Sequence, residues 1–100
     1  MSNTSSFESG KLNGRIDTLG EHIVKYGDVS YGPVSVSEDS VISIANPYAS
    51  NNCLGAILKS GGGSGGYAKG FVSLAGDNIR FVPKWNDSNV SMVFTVLYTP

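Results

Sequence analysis

The residues best suited to ligand chemistry lie in a polar loop around the single tryptophan of the chain, Trp85. Sugar rings have apolar faces and polar rims, so a stacking aromatic ring with hydrogen-bonding side chains beside it suits them. The loop is therefore predicted to bind a ligand, with carbohydrate as the favoured class, through Trp85, Asn86, Asp87 and Asn89. The alternative is that Trp85 fills one end of a hydrophobic core while the Asn and Asp side chains only shape turns.

A second loop repeats this combination of an aromatic ring and amide side chains. It runs from Asn46 to Asn52, where Asn, Ser and Pro interrupt any strand. Its predicted ligand-binding residues are Tyr48, Asn51 and Asn52. The same alternative applies here, because asparagines also favour turns.

Other residue types that carry chemistry are too sparse to form a site. The chain has one cysteine, Cys53, and one histidine, His22, and nothing in their spacing brings them together as a thiolate–imidazole pair or as metal ligands. The glycine-rich run Gly61–Gly66 contains the spacing GxGxxG, but a strand-like segment follows it, whereas a dinucleotide site needs a helix there. We therefore expect a flexible hairpin loop at these glycines. No catalytic residue, metal ligand or cofactor is predicted, and the chain is not expected to be an enzyme.

Composition excludes several classes of protein. The chain has 100 residues and a net charge of −1, so it suffices for one domain and lacks the excess of Lys and Arg that nucleic-acid binding requires. No apolar run reaches the roughly 20 residues of a membrane span, and the first residues do not resemble a signal peptide. We expect a soluble protein without membrane insertion. Charged residues make up only 15% of the chain, which with many Ser, Gly and Asn residues is typical of a turn-rich β domain.

The first part of the chain carries two patterns. Residues 1–10 are polar and serine-rich, and they are predicted to form a flexible arm. Residues 11–27 have apolar side chains at alternating spacings of four and three, which predicts a short amphipathic, heptad-like helix with Gly27 as its stop. The apolar seam of this helix, predicted to mediate oligomerisation, consists of Leu12, Ile16, Leu19, Ile23 and Tyr26. The helix is expected either to pack on copies of itself or to pack on its own domain. The third alternative is that these residues form an extended or irregular arm.

From residue 28 onward the hydrophobic period changes to two, which predicts a β domain over residues 28–100. About six strands follow one another with turn signals between them. The last strand, residues 90–98, is apolar on one face and partly apolar on the other, so we expect it to be central or buried at an interface. The predicted fold class is all-β, a single small β-sandwich or jelly-roll-like domain preceded by a short N-terminal helix.

The order of a polar arm, a heptad segment and a Gly/Ser/Asn-rich β domain resembles the distal, receptor-binding end of bacteriophage tail fibres and related trimeric viral fibre proteins. The resemblance is carried by the apolar seam and by the terminal strands over residues 79–96. It implies a homotrimer on the virion that attaches, without catalysis, to a glycan or protein of the host surface. Two other functions stay open: a structural subunit of virion assembly or decoration that binds no ligand, and, least favoured, a small hydrolase.

Overall fold

The computed structural model describes residues 23–100, and this part of the chain is all-β. Its alternating apolar pattern produces seven strands. They are β1 (Lys25–Val36), β2 (Ile42–Ala45), β3 (Asn52–Gly63), β4 (Gly66–Tyr67), β5 (Gly70–Ala75), β6 (Asn78–Pro83) and β7 (Asp87–Thr99).

The strands form two antiparallel sheets. The four-stranded sheet has the order β1-β7-β3-β4, and the three-stranded sheet has the order β2-β6-β5. β7 is paired with β1 on one side and with β3 on the other along most of its length. The prediction that the last strand is central is therefore confirmed, as is the all-β class of the described residues.

One hydrophobic core lies between the inner faces of the two sheets. Because side chains alternate along a strand, every second residue of β6 and β7 points into it. Its buried apolar members are Val36, Ile44, Ile79, Phe81, Val90, Met92, Phe94 and Val96. Phe81 of one sheet meets Phe94 of the other edge to face, with ring centroids 5.5 Å apart. The two sheets are thus packed in a sandwich-like manner.

The glycine run forms paired strands, so the prediction of a flexible loop over the whole run is wrong. Gly61–Gly63 end β3 and Gly66 begins β4. A Cβ at Gly61 would lie 2.8 Å from Cγ of Met92, and one at Gly63 would lie 2.5 Å from the carbonyl oxygen of Ser88. These glycines therefore let β3 approach β7 more closely than residues with side chains could. A strand follows the run, as expected, so it offers no helix terminus to a dinucleotide.

The start of β1 contradicts the C-terminal end of the predicted helix. Lys25, Tyr26 and Gly27 pair with Tyr98, Leu97 and Val96 of β7, so these residues are strand and the β domain begins before residue 28. Pairing with the central strand outweighs a heptad pattern that spans only about two repeats. The rest of the predicted arm and helix, residues 1–22 with Leu12, Ile16 and Leu19 of the seam, lies outside the described residues.

Candidate functional site

The tryptophan loop is held together by bonds within the chain. Trp85 is partly buried, and its ring lies edge-on to Phe81 with centroids 6.4 Å apart. Its indole Nε1 donates a hydrogen bond to Oδ2 of Asp87 at 3.0 Å. The other carboxylate oxygen, Oδ1, accepts from the backbone N–H groups of Gly65 and Ser88, both at 2.7 Å. Asp87 therefore fastens the β3–β4 hairpin to the start of β7, which begins inside the predicted loop.

These hydrogen bonds also determine the acidity of Asp87. The bond from Trp85 is the main cause that lowers the pKa of the Asp87 carboxyl group, with the backbone N–H groups of Ser88 and Gly65 adding to it. A carboxylate that accepts several N–H donors is stabilised in its charged form. Both oxygens of the Asp87 carboxylate are thus hydrogen-bonded within the chain.

The two asparagines of this loop have different environments. Oδ1 of Asn86 accepts a hydrogen bond from the backbone N–H of Glu38 at 2.9 Å, which joins the loop to the turn before β2. Asn89 is exposed and has a φ of 57°, a left-handed conformation that asparagine tolerates better than most residues. The alternative that Trp85 packs on the core while the polar side chains hold the turns together accounts for the positions of Trp85, Asn86 and Asp87. Ligand binding by these residues and by Asn89 stays a prediction.

The tyrosine loop is anchored in the same manner. The ring of Tyr48 stacks on Tyr98 with centroids 4.8 Å apart and planes inclined by 16°. Gly27 also lies close to the ring, because an added Cβ there would be 2.2 Å from the Tyr48 hydroxyl oxygen. The backbone N–H of Asn51 donates to the carbonyl oxygen of Tyr48 at 3.0 Å, and Asn52 is the first residue of β3. The aromatic face of Tyr48 is thus occupied by its own chain.

Sequence reasoning missed the buried polar residue of this loop, Asn46. Its Oδ1 accepts from the backbone N–H of Tyr48 at 3.0 Å, and its Nδ2 lies 3.4 Å from Sγ of Cys53. Sγ in turn donates to the Tyr48 carbonyl oxygen at 3.2 Å. Asn46 precedes Pro47, and the asparagine side chain here mimics a backbone turn, which is the signal that could have identified it.

The structure does not bring the two predicted ligand-binding loops together. Val36 and Asp87 pair at one end of β7, whereas Cys53 and Tyr98 pair at the other. Asp87 and Tyr98 are eleven positions apart along an extended strand, which is about 36 Å. One saccharide unit therefore cannot contact both loops.

The outer face of the four-stranded sheet is apolar at one end. Leu97 pairs with Tyr26 on one side and with Gly55 on the other. Ile57 pairs with Thr95, two residues before Leu97 on β7, and so lies on the same face of the sheet. Leu54 is exposed in the bulge next to Gly55. We call these four exposed side chains the apolar face: Tyr26, Leu54, Ile57 and Leu97. Tyr26 is 74% exposed, and Leu54 and Ile57 are each 55% exposed.

A charged pair borders the apolar face. Nζ of Lys59 donates to Oδ2 of Asp28 at 2.7 Å, and Oγ1 of Thr95 donates to Oδ1 of the same carboxylate at 2.8 Å. The bond from Lys59 is the main cause that lowers the pKa of Asp28, and the same bond raises the pKa of Lys59. The pair bridges from β3 to β1 across β7 and covers Thr95, which is only 8% exposed. The apolar face therefore ends at a fixed polar boundary.

The outer face of the three-stranded sheet combines polar residues and an exposed aromatic ring. Arg80 pairs with Ser43 on one side and with Ser73 on the other, which gives a row we call the arginine row. The next row places Phe71 opposite Val82, and Phe71 is 67% exposed. Rows two residues apart along a strand share a face, so the aromatic ring and the guanidinium group are on the same surface.

Neither of these two faces was predicted residue by residue. The partly apolar second face of the last strand was the signal for the apolar face, since it contains Val93 and Leu97. No sequence signal marks the arginine row, because its members come from three strands whose pairing is known only from the fold.

Among residues 23–100, no cluster of three His, Cys, Asp or Glu side chains could hold a metal ion. The part of the chain that the structure describes contains no helix long and apolar enough to cross a membrane. No known protein family, curated protein or solved structure matches the chain.

Proposed function

We propose that the chain is a non-enzymatic attachment module of a viral fibre, which assembles as a homo-oligomer, most simply a trimer, and binds a ligand on the host surface, with carbohydrate as its class. The apolar face carries this proposal, and its occupant is a second copy of the chain. The jelly-roll-like form expected for such a domain belongs to the same proposal, and the shared core of the two sheets supports it.

The apolar face is too small to form a stable interface between two copies without further residues. Three strands spaced about 4.8 Å apart, over about 10 Å of their length from Leu54 to Ile57, give a surface of about 150 Å². A stable interface needs about 800 Å² from each partner. The apolar face alone is therefore too small for stable association, and further apolar surface must contribute.

Apolar residues continue from this face toward the start of the chain. Ile23 and Val24 directly precede β1, and they are 64% and 44% exposed. The remaining seam residues Leu12, Ile16 and Leu19 come just before them in the sequence. A net charge of −1 leaves little repulsion between copies. We therefore propose that the apolar face and the seam together form one interface.

Assembly gives the attachment function its strength. Several weak sites presented on one oligomer bind a surface far more tightly than one site, because each binding event after the first is intramolecular. A subunit of virion assembly or decoration would use the same interface without any ligand. Binding to a glycan array by the intact oligomer separates these two functions.

The interface is tested by light-scattering mass with a matched pair of variants. Leu97→Asp places a charge in the apolar face, whereas Ser91→Asp places the same charge at an exposed outer position of the same strand. We expect wild type and Ser91→Asp to have a mass several times 10.5 kDa, and Leu97→Asp to be a folded monomer by circular dichroism. A monomeric wild type, or equal masses for both variants, would contradict the proposal.

A further inference from the structure

The arginine row exposes a cation that the described residues leave without a partner. Arg80 is exposed, and within residues 23–100 its guanidinium group takes part in none of the ion pairs or side-chain hydrogen bonds. Its neighbours Ser43 and Ser73 are short, so they do not cover it. A guanidinium group offers a planar fork of N–H donors that matches a carboxylate in a bidentate manner.

The serine hydroxyl groups extend the polar surface on both sides of Arg80. Adjacent strands lie about 4.8 Å apart, so the backbones of Ser43 and Ser73 are about 10 Å apart. Each hydroxyl group both donates and accepts hydrogen bonds, as the hydroxyl groups of a sugar do. The row is therefore wide enough to accept a carboxylate in its centre with sugar hydroxyl groups at its sides.

An aromatic ring completes the surface. Phe71 lies in the adjacent row and is 67% exposed, so most of its ring surface is accessible to an apolar sugar face. Nζ of Lys84 lies 5.9 Å from the Phe71 ring centroid and is ion-paired with Asp39. The positive charge of Lys84 is thus compensated, and Arg80 remains as the group that selects for a carboxylate.

We propose that the arginine row together with Phe71 binds a carboxylate-bearing saccharide, a uronic acid unit of an acidic polysaccharide. This inference rests on the attachment function proposed above and names the class of its ligand. Arg80 binds the carboxylate, the two serines bind ring hydroxyl groups, and Phe71 packs against the sugar ring. The surface belongs to the sheet opposite the apolar face, so assembly through that face leaves it accessible.

The net charge of the whole chain does not favour binding of acidic saccharides in general. The sequence pI is about 5.6 and the net charge is −1, so general electrostatic attraction to a polyanion is absent. The tryptophan loop is a weaker candidate for an acidic sugar, because its carboxylate Asp87 would repel one and its oxygens are bonded to Trp85, Gly65 and Ser88. Binding of an acidic saccharide therefore requires a local cationic site.

The test is a titration of the full chain with trigalacturonate, followed by backbone amide chemical shifts in NMR spectra. The neutral control ligand is maltotriose. We expect trigalacturonate to shift amides of β2, β5 and β6 around Arg80, and maltotriose to bind at least tenfold more weakly. Shifts confined to the loops around Trp85 or Tyr48, equal binding of the two sugars, or no shifts at millimolar sugar would overturn the proposal.

Variants attribute the binding to individual side chains. Arg80→Gln should weaken trigalacturonate binding at least tenfold, and Phe71→Ser should weaken it severalfold. The matched control is Lys69→Gln, which removes one exposed positive charge from the end of the same sheet and should change the affinity less than twofold. Equal losses for Arg80→Gln and Lys69→Gln would show that only general charge matters and would refute the assignment.

The monomeric variant separates this inference from the proposed oligomer. If both are correct, Leu97→Asp keeps the trigalacturonate shifts at Arg80 with an unchanged affinity for each site. The same variant loses retention on an immobilised polyuronate, because avidity is lost. If the wild type is a monomer that still binds trigalacturonate at Arg80, the oligomer fails and the site stands. If the wild type is an oligomer without such shifts, the site fails.

Discussion

Gly27→Ala tests how the Tyr48 loop is anchored on the four-stranded sheet. A Cβ at Gly27 would lie 2.2 Å from both Cζ and the hydroxyl oxygen of Tyr48, far below any van der Waals distance. The overlapping atoms are the far end of the Tyr48 side chain, so the ring has to shift, and its stack on Tyr98 is what the shift disturbs. We therefore expect Gly27→Ala to destabilise the protein, although glycine to alanine in a strand is otherwise neutral or favourable.

The cost follows from what the Tyr48 ring loses. Stacking of two aromatic rings contributes about 1 kcal/mol beyond burial. Exposing about 100 Å² of a partly buried ring costs about 2.5 kcal/mol at about 25 cal/mol per Å². Gly27→Ala should thus lower the free energy of unfolding by about 3.5 kcal/mol, a large share of the roughly 5–15 kcal/mol typical of a domain. The midpoint of thermal unfolding should fall by about 15–30 °C.

The assay is urea unfolding of Gly27→Ala beside a matched control, Gly55→Ala. Gly55 also lies in a strand paired with β7, but a Cβ there would meet nothing within 4 Å. Gly55→Ala should be as stable as wild type or slightly more stable. Measurement at two protein concentrations separates the contribution of association from that of the fold.

A double-mutant cycle gives the decisive result. In a Tyr48→Ala background the overlap with Gly27 no longer exists, so the additional change Gly27→Ala should cost almost nothing. Equal stability of Gly27→Ala and Gly55→Ala would refute the reasoning, as would a full cost of Gly27→Ala in the absence of the Tyr48 ring.

Two further predictions concern the charged pair and the glycine run. The pKa values of Asp28 and Asp87 are lowered by their hydrogen bonds, chiefly from Lys59 and Trp85, so the stability they confer is present above about pH 4 and is lost as the pH falls through the lowered values. Urea unfolding between pH 7 and pH 2 should show this loss, and the loss should be smaller in Asp28→Asn; an equal loss in the variant would count against the assigned cause. Gly63→Ala would place a Cβ 2.5 Å from the backbone oxygen of Ser88 and 2.7 Å from Cγ2 of Val90, so it should destabilise the protein by about 2 kcal/mol. Wild-type stability of Gly63→Ala in the same assay would show that β3 need not approach β7 so closely.

The alternating pattern of the last strand was sufficient to predict its place in the fold. Val90, Met92, Phe94 and Val96 are all buried, because a period of two directs them to one side of a sheet that is covered there. The partly apolar second face identified the same strand as central. The central place of β7 and the burial of one of its faces therefore follow from local sequence.

Two errors arose where pairing with other strands decides the structure. The heptad spacing continued through Tyr26, but Lys25–Gly27 pair with β7, which no local pattern could reveal. The glycine run looked flexible because glycine has many conformations, yet Gly61–Gly63 are in strand β3. Gly61 and Gly63 pack on β7 at distances that exclude a side chain.

The candidate sites, too, could be predicted only in part from the sequence. Trp85 and Tyr48 were identified as important, but their hydrogen bonds and stacking partners inside the chain depend on residues far away in sequence, such as Gly65 and Tyr98. The arginine row assembles Ser43, Ser73 and Arg80 from three strands. A surface made by cross-strand pairing becomes visible only once the register is known.

The mass of the wild-type chain in solution tests the central claim most directly. Sedimentation equilibrium over a hundredfold range of concentration should show a species of several chains, three in the simplest case, that dissociates to a monomer of 10.5 kDa when Leu97 is replaced by Asp. A wild-type chain that sediments as a monomer of 10.5 kDa at every concentration would contradict the proposed attachment oligomer.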